Sequence, residues 1–335
     1  MVLLAATAPG IARAERGAGG AWRVEHLRPD LRVQALTLDP SDRGTVWAGV
    51  RDGGAWRSRD RGRTWAPAGL AGVSVKALAV DPGDPDVVVA GIKPAGVWRT
   101  EDGGASWREL VGFRAVRRWW WWSPADPPGL VPYVSGIGIA PGDPEVLVAG
   151  IEFGGVLRSE DGGRSWSGHR RAADRDCHDL RFHARDGAWV YEAGGGGPAV
   201  SRDGGRSWRH PLRGLAGRYT MACAADPARP EVWYVSAAPL LDWRAPWRMP
   251  LAHADGHARA GIYRASEGGR WERLTGGLPQ PLDHMPYALV THPERPGEVV
   301  AGLAHGQVWH SGDHGDSWRR LPIDLGGVRR ALLWA

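Results

Sequence analysis

Ser58-Arg-Asp60-Arg-Gly62-Arg-Thr64-Trp65 decides the fold, because it returns as Thr100-Glu-Asp102-Gly-Gly104-Ala-Ser106-Trp107 and again from Ser159 to Trp166, Ser201 to Trp208 and Ser311 to Trp318, with a shortened copy from Ser266 to Trp271. An internal period of about 40 to 50 residues belongs to a propeller or a solenoid. Each copy stands in the same frame. Val75-Lys-Ala-Leu-Ala-Val80 ends in Asp81-Pro82, then come Val87-Val-Val-Ala90, a glycine turn, Gly96-Val-Trp-Arg-Thr100, the box, and Ser106-Trp107-Arg108. Four short strands with turn signals between them make one propeller blade. In the box, the aspartate can accept backbone N–H bonds, the glycines supply positive φ, and the tryptophan covers the sheet.

These boxes resemble those of the Asp-box (BNR) propeller family, which includes sialidases, sortilin-type receptors, xyloglucan hydrolases and a photosystem II assembly factor. The frame covers essentially the whole chain. The expected fold is therefore all-β, a single seven-bladed propeller over residues 1–335 with four antiparallel strands per blade. Six blades run from Val33 to Arg319. Val2–Ala6, Gly10–Ala14 and Trp22-Arg-Val match strands two to four of a seventh, whose box is eroded to Glu15–Trp22, and Arg330–Trp334 matches its missing first strand. One blade closed by both termini leaves no open edge. The alternative reading of residues 1–14, a signal peptide, lacks a basic residue before a short apolar stretch.

The 335 residues carry a formal net charge of +5, too modest for its length to point to nucleic acid. No apolar run approaches the roughly 18 residues that would span a membrane. A cytoplasmic monomer is the expectation, with secretion or a periplasmic location left open. Cys177 and Cys223 fall on neighbouring first strands and read as buried thiols, a disulfide requiring closer Cα atoms than the sequence can show.

Function is sought where the repeat breaks. Two long insertions map to the face opposite the boxes. One, at 111–133, carries Arg114, Arg117, Arg118 and the tetrad Trp119, Trp120, Trp121 and Trp122; the other, at 237–260, carries Asp242, Trp243, Trp247, His253, Asp255 and His257. Stacking equivalent positions gives a second signal. The Ala77 position is filled by small residues except for Asp179, and the Ala90 position by Ala or Val except for Glu192. Both exceptions lie in blade four, so the two carboxylates are expected near one another, with His178 and Arg181 beside them and Gly194–Gly197 admitting a ligand to the backbone. The alternative is a buried ion network bracing the blade. The Lys76 position forms a predicted ring at the channel mouth: Gln34, Lys76, Ser135, His178, Met221, Tyr287 and Arg330.

A glycosidase needs two carboxylates about 5 to 9.5 Å apart across a sugar, and Asp179 and Glu192 supply the residue types, with Asp242, Asp255 and Asp283 on the same face. The resemblance to sialidases implies an arginine triad and a Tyr–Glu nucleophile, which do not stand out in this sequence, and the xyloglucan hydrolases use a cleft between two propellers. His253, Asp255 and His257 offer metal donors, and His178, His284 and His305 project to the same face, yet such spacing in a long loop is the ordinary pattern of solvated histidines. No cofactor or metal is assigned. The favoured reading is a non-catalytic binding or assembly propeller. It would recognise a glycan or a protein partner through His178, Asp179, Arg181, Glu192, Tyr287, Arg330, Trp119, Trp120, Trp243 and His305. A sialidase- or glycan-hydrolase-like enzyme is the second reading.

Overall fold

In the computed structural model, residues 1–335 are described except residue 9, 121–130, 241–249, 267–268 and 330, and the side chains of 117–120. Seven antiparallel sheets follow one another round a ring. Blade one holds β4–β7 (Val33–Leu38, Val46–Val50, Gly54–Ser58, Ala66–Pro67), and blade two holds β8–β11 (Ser74–Val80, Val88–Lys93, Val97–Thr100, Arg108–Glu109). Blade three holds β12–β14 (Tyr133–Ala140, Asp143–Glu152, Gly155–Ser159), and blade four β15–β17 (Cys177–Phe182, Val190–Gly194, Ala199–Ser201). In these two the fourth strand is reduced to a single bridge, Arg158 to Ser167 and Val200 to Arg209. Blade five holds β18–β21 (Tyr219–Ala225, Trp233–Ala238, Gly261–Ala265, Trp271–Arg273), and blade six β22–β25 (Pro286–His292, Arg295–Leu303, Gln307–Ser311, Arg319–Asp324). Blade seven is β26 (Leu332–Trp334) beside β1 (Val2–Ala6), β2 (Ile11–Arg16) and β3 (Trp22–Leu27), with Leu4 opposite Leu333. The expected shared blade is thus observed. The residues of the alternative reading, 1–14, hold its second strand and most of its third.

The apolar core is divided among the seams. Each of seven clusters joins two neighbouring blades; Leu3, Val300, Leu321 and Trp334 fill the seam between blades six and seven, and Val148, Cys177, Leu180 and Val190 that between three and four. Strands buried on both faces read as near-continuous apolar runs rather than clean alternation, which is why Val46–Val50 and Val88–Ile92 contain no charge. Cys177 and Cys223 are free and buried, on different seams.

The boxes hold the turns as their composition requires. Asp60 Oδ1 accepts the N–H groups of Arg63 and Thr64, both at 2.9 Å, and Ser58 Oγ donates to the same oxygen at 2.7 Å. Hydrogen bonds from the Ser106 hydroxyl and N–H hold the Asp102 carboxyl down at about 2. Gly163, at φ +88, is required: a Cβ there would stand 2.3 Å from Leu110.

The 111–133 insertion begins as a helix, α1 (Gly112–Trp120), where the sequence reading had only a loop. Phe113 and Val116, one turn apart, seat it on the seam between blades two and three, with the Phe113 ring 5.2 Å from Trp166. Trp119 and Trp120 end this helix, their side chains outside the described residues; Trp121, Trp122, Asp242, Trp243, Trp247 and Arg330 also lie outside them.

Candidate functional site

Every first strand except the short β26 carries an irregularity near its start. The ladder register shifts between Val33 and Ala35, Val75 and Ala77, Val134 and Gly136, Cys177 and Asp179, Thr220 and Cys223, and Pro286 and Ala288. The residue left over is Gln34, Lys76, Ser135, His178 or Tyr287, and in blade five Met221 with Ala222. These are the positions of the predicted ring. A bulged residue is freed from the ladder and its side chain is re-aimed. Gln34, Lys76, Ser135 and His178 accordingly line one end of a central cavity of about 540 Å³, walled by the first strands of blades one to four and closed laterally by Ala331 and Leu333. Met221 instead turns into the core of the seam between blades five and six, and Tyr287 packs against that same core.

From this mouth a run of aromatic and charged side chains continues round the face opposite the boxes. The Lys76 ammonium lies 4.2 Å from the centre of the Tyr133 ring, and the Tyr133 hydroxyl donates closely to Glu152. His178 is buried, with Nδ1 at 2.6 Å from the Thr220 carbonyl and Nε2 at 3.3 Å from Asp176. Burial alone would lower its pKa, but the Asp176 carboxylate and the Thr220 carbonyl together raise it above the ordinary value. The His178 ring lies 4.8 Å from that of Tyr219. The Tyr219 hydroxyl then meets His253 Nε2 at 3.0 Å, and His253 Nδ1 meets the Tyr287 hydroxyl at 2.8 Å. His253 comes from a 3-10 turn, Leu251–His253, so the described end of the second insertion is seated on blades five and six.

Blade four corrects the sequence reading. Glu192 pairs with Leu180, and Asp179 with Ala193. Paired residues share a face and successive ones alternate, so the two carboxylates stand on opposite faces of the sheet and cannot act across one ligand. Asp179 and Arg181 face the seam with blade five. There the Arg181 Nε donates to Asp179 at 3.1 Å, and Asp179 Oδ2 accepts the Cys223 N–H at 3.1 Å. That carboxylate raises the pKa of Arg181. This is the bracing network named above as the alternative.

Glu192 points the other way and is fully buried. Its Oε2 accepts the Asp174 N–H at 2.9 Å, and Oε1 has no hydrogen-bond partner among the described residues. Burial, and then the neighbouring Asp174 carboxylate, push its pKa well above the ordinary value; burial raises Asp174 as well. Burial and the Asp174 carboxylate thus both favour the protonated form of Glu192. The glycine run beside it packs against carboxylates. Gly196 donates to Asp174 Oδ2 at 2.6 Å, and a Cβ on Gly195 would lie 2.3 Å from Asp176 Oδ2. These glycines let the turn close over two carboxylates.

His305 stacks on His284 at 3.8 Å, and His284 Nδ1 lies 3.3 Å from the exposed Asp255. Burial and the adjoining His284 lower the pKa of His305. Among the described residues no group of three or more His, Cys, Asp or Glu side chains is placed to hold a metal ion.

Sequence reasoning missed Tyr133, Asp176 and Tyr219. They stand two residues before the ring position in their blades, a position as varied round the ring as the mouth itself, with Arg32, Ser74 and Met285 in other blades.

Against known proteins, the sequence matches no protein-family model and no curated protein. Solved structures resemble it in fold. A GH74 xyloglucanase from Xanthomonas campestris is similar at a TM-score of 0.63 and 20% identity, over 86% of this chain and 45% of that one. YCF48 from Cyanidioschyzon merolae is similar at 0.58 and 15% identity, over 88% and 86%. U3-55K is similar at 0.59 and 15%, over 97% and 86%. The chain thus spans less than half the length of the xyloglucanase. At these identities the likeness establishes a seven-bladed propeller, a fold shared by glycoside hydrolases and by assembly or binding propellers alike.

Proposed function

We propose that this chain is a non-catalytic binding propeller whose insertion-bearing face takes an extended segment of a protein partner at the channel mouth. One observation carries this reading. The two acids that break the repeat are each held by the scaffold, Asp179 at the cavity wall in a brace to blade five and Glu192 as a buried acid, while the mouth presents Gln34, Lys76, Ser135 and His178, with Tyr133 beside Lys76. Glycoside hydrolysis needs two carboxylates facing one sugar, and these do not face one another. A structure of YCF48 bound to D1 peptide, similar at a TM-score of 0.56, supports a peptide as the occupant. A glycan is the second reading, supported by the tyrosine rings near the mouth and by the GH74 likeness.

A panel of chromogenic glycosides, sialosides and xyloglucan oligosaccharides separates binding from hydrolysis. The expected result is no product above the buffer rate. Turnover that Asp179→Asn or Glu192→Gln abolishes in folded protein would overturn the non-catalytic reading.

A further inference from the structure

On the box face three seams are clamped by a repeated contact. The third-strand residue just before the box Ser, Thr or Ala reaches across to the fourth-residue carbonyl of the next box. Arg13 Nε donates to Arg61 at 3.0 Å, Arg158 Nε to Gly204 at 2.6 Å, and an Arg264 guanidinium N–H to His314 at 2.9 Å. At the seam between blades six and seven both partners are replaced. His310 stands at the arginine position, and blade seven has no box. Its register sets Ala14 opposite Leu3 as Ser58 is set opposite Val46, so Arg16 takes the place of the box aspartate Asp60.

At this seam lies a cavity of about 390 Å³ lined by Arg16, Arg295, Glu298, His310, Arg319 and Trp334. Arg16 donates only to the Gly20 carbonyl, at 3.2 Å, and Arg319 only to His310 Nδ1, at 3.4 Å. Among the described residues none of the three arginines is in an ion pair. The single acid, Glu298, is engaged by His310 Nε2. Three guanidinium groups and one carboxylate thus surround one space, which leaves an excess of positive charge. A position that elsewhere requires an aspartate carries an arginine. Guanidinium is always charged, and its fixed planar fork matches an oxyanion through paired N–H bonds.

We propose that this pocket is a binding site for a tetrahedral oxyanion group, phosphoryl or sulfuryl, carried by a small ligand. It lies on the face opposite the channel mouth and is independent of the binding role assigned to that mouth. The test is calorimetric titration of the full chain with inorganic pyrophosphate at low salt, with sulfate as a second titrant. Saturable binding with a Kd under about 1 mM is expected, weakening about tenfold or more in Arg295→Gln/Arg319→Gln, as loss of charge-assisted hydrogen bonds requires. Binding of both anions supports a general oxyanion site, and binding of pyrophosphate alone narrows the class to phosphoryl groups. If the double variant does not fold, Arg16→Gln at the exposed end of β2 carries the same comparison. Absence of saturable binding, or equal binding by a folded variant, overturns the proposal.

Discussion

Glu192→Gln should make the protein more stable at neutral and alkaline pH, and the gain should vanish in acid. Glu192 is wholly buried, and its pKa is raised, first by burial and then by Asp174, above the ordinary 4.5. Between 4.5 and that raised value, the unfolded chain has lost the proton while the folded chain keeps it. The unfolded state therefore binds fewer protons, and stability falls as pH rises, by about 1.4 kcal/mol per pH unit. Glutamine has the same shape, keeps an acceptor for the Asp174 N–H and does not titrate. The gap between variant and parent should be smallest near pH 4.5 and widen upward until the buried carboxyl ionises. Thermal unfolding from pH 4.5 to 8.5 checks this. A gap independent of pH, or a variant less stable throughout, would contradict the raised pKa of the buried acid.

Arg158→Ala should be the most damaging substitution on the box face. Its side chain is 2% exposed in the seam between blades three and four, where Nε serves the Gly204 carbonyl at 2.6 Å and a terminal nitrogen meets Glu160. Truncation leaves a buried carbonyl unsatisfied and a gap where the side chain lay, together about 3 kcal/mol. Arg158→Lys should recover only part, because an ammonium cannot serve both acceptors from the guanidinium's fixed positions. Denaturant unfolding checks both variants. Stability equal to the parent's would show that the clamp does not hold the seam.

The architecture was legible because a repeated box is redundant: each copy states the same turn, and the ends of the chain complete one blade between them. The helix at Gly112–Trp120 was hidden because its two anchors, Phe113 and Val116, gain their role only from Trp166 and the seam beneath. In the site, stacking equivalent positions found the ring residues, and the bulges explain why Gln34, Lys76, Ser135 and His178 enter the mouth while Met221 and Tyr287, bulged likewise, turn to the seam between blades five and six. The same stacking misjudged Asp179 and Glu192. It identifies which positions are unusual but not how two strands are paired, and a shift of one residue sends a side chain to the other face. Ala77 pairs with Gly91 rather than Ala90, and blade four follows that register. The Glu192 environment depends on Asp174 and Asp176 and on a glycine turn folded over them, none of which belongs to the repeated frame.

The most direct test of the binding role is selection of a displayed random-peptide library on the folded chain, followed by affinity measurement of the enriched peptides. Lys76→Glu reverses the charge at the mouth, and Gln34→Trp plugs it; both sites are half-buried surface positions. Enriched peptides should bind the parent and lose about tenfold or more in affinity for either variant, a loss of roughly 1.4 kcal/mol or more. Peptides that bind both folded variants as well as the parent, or a library that yields no binder, would contradict recognition of a peptide at the channel mouth.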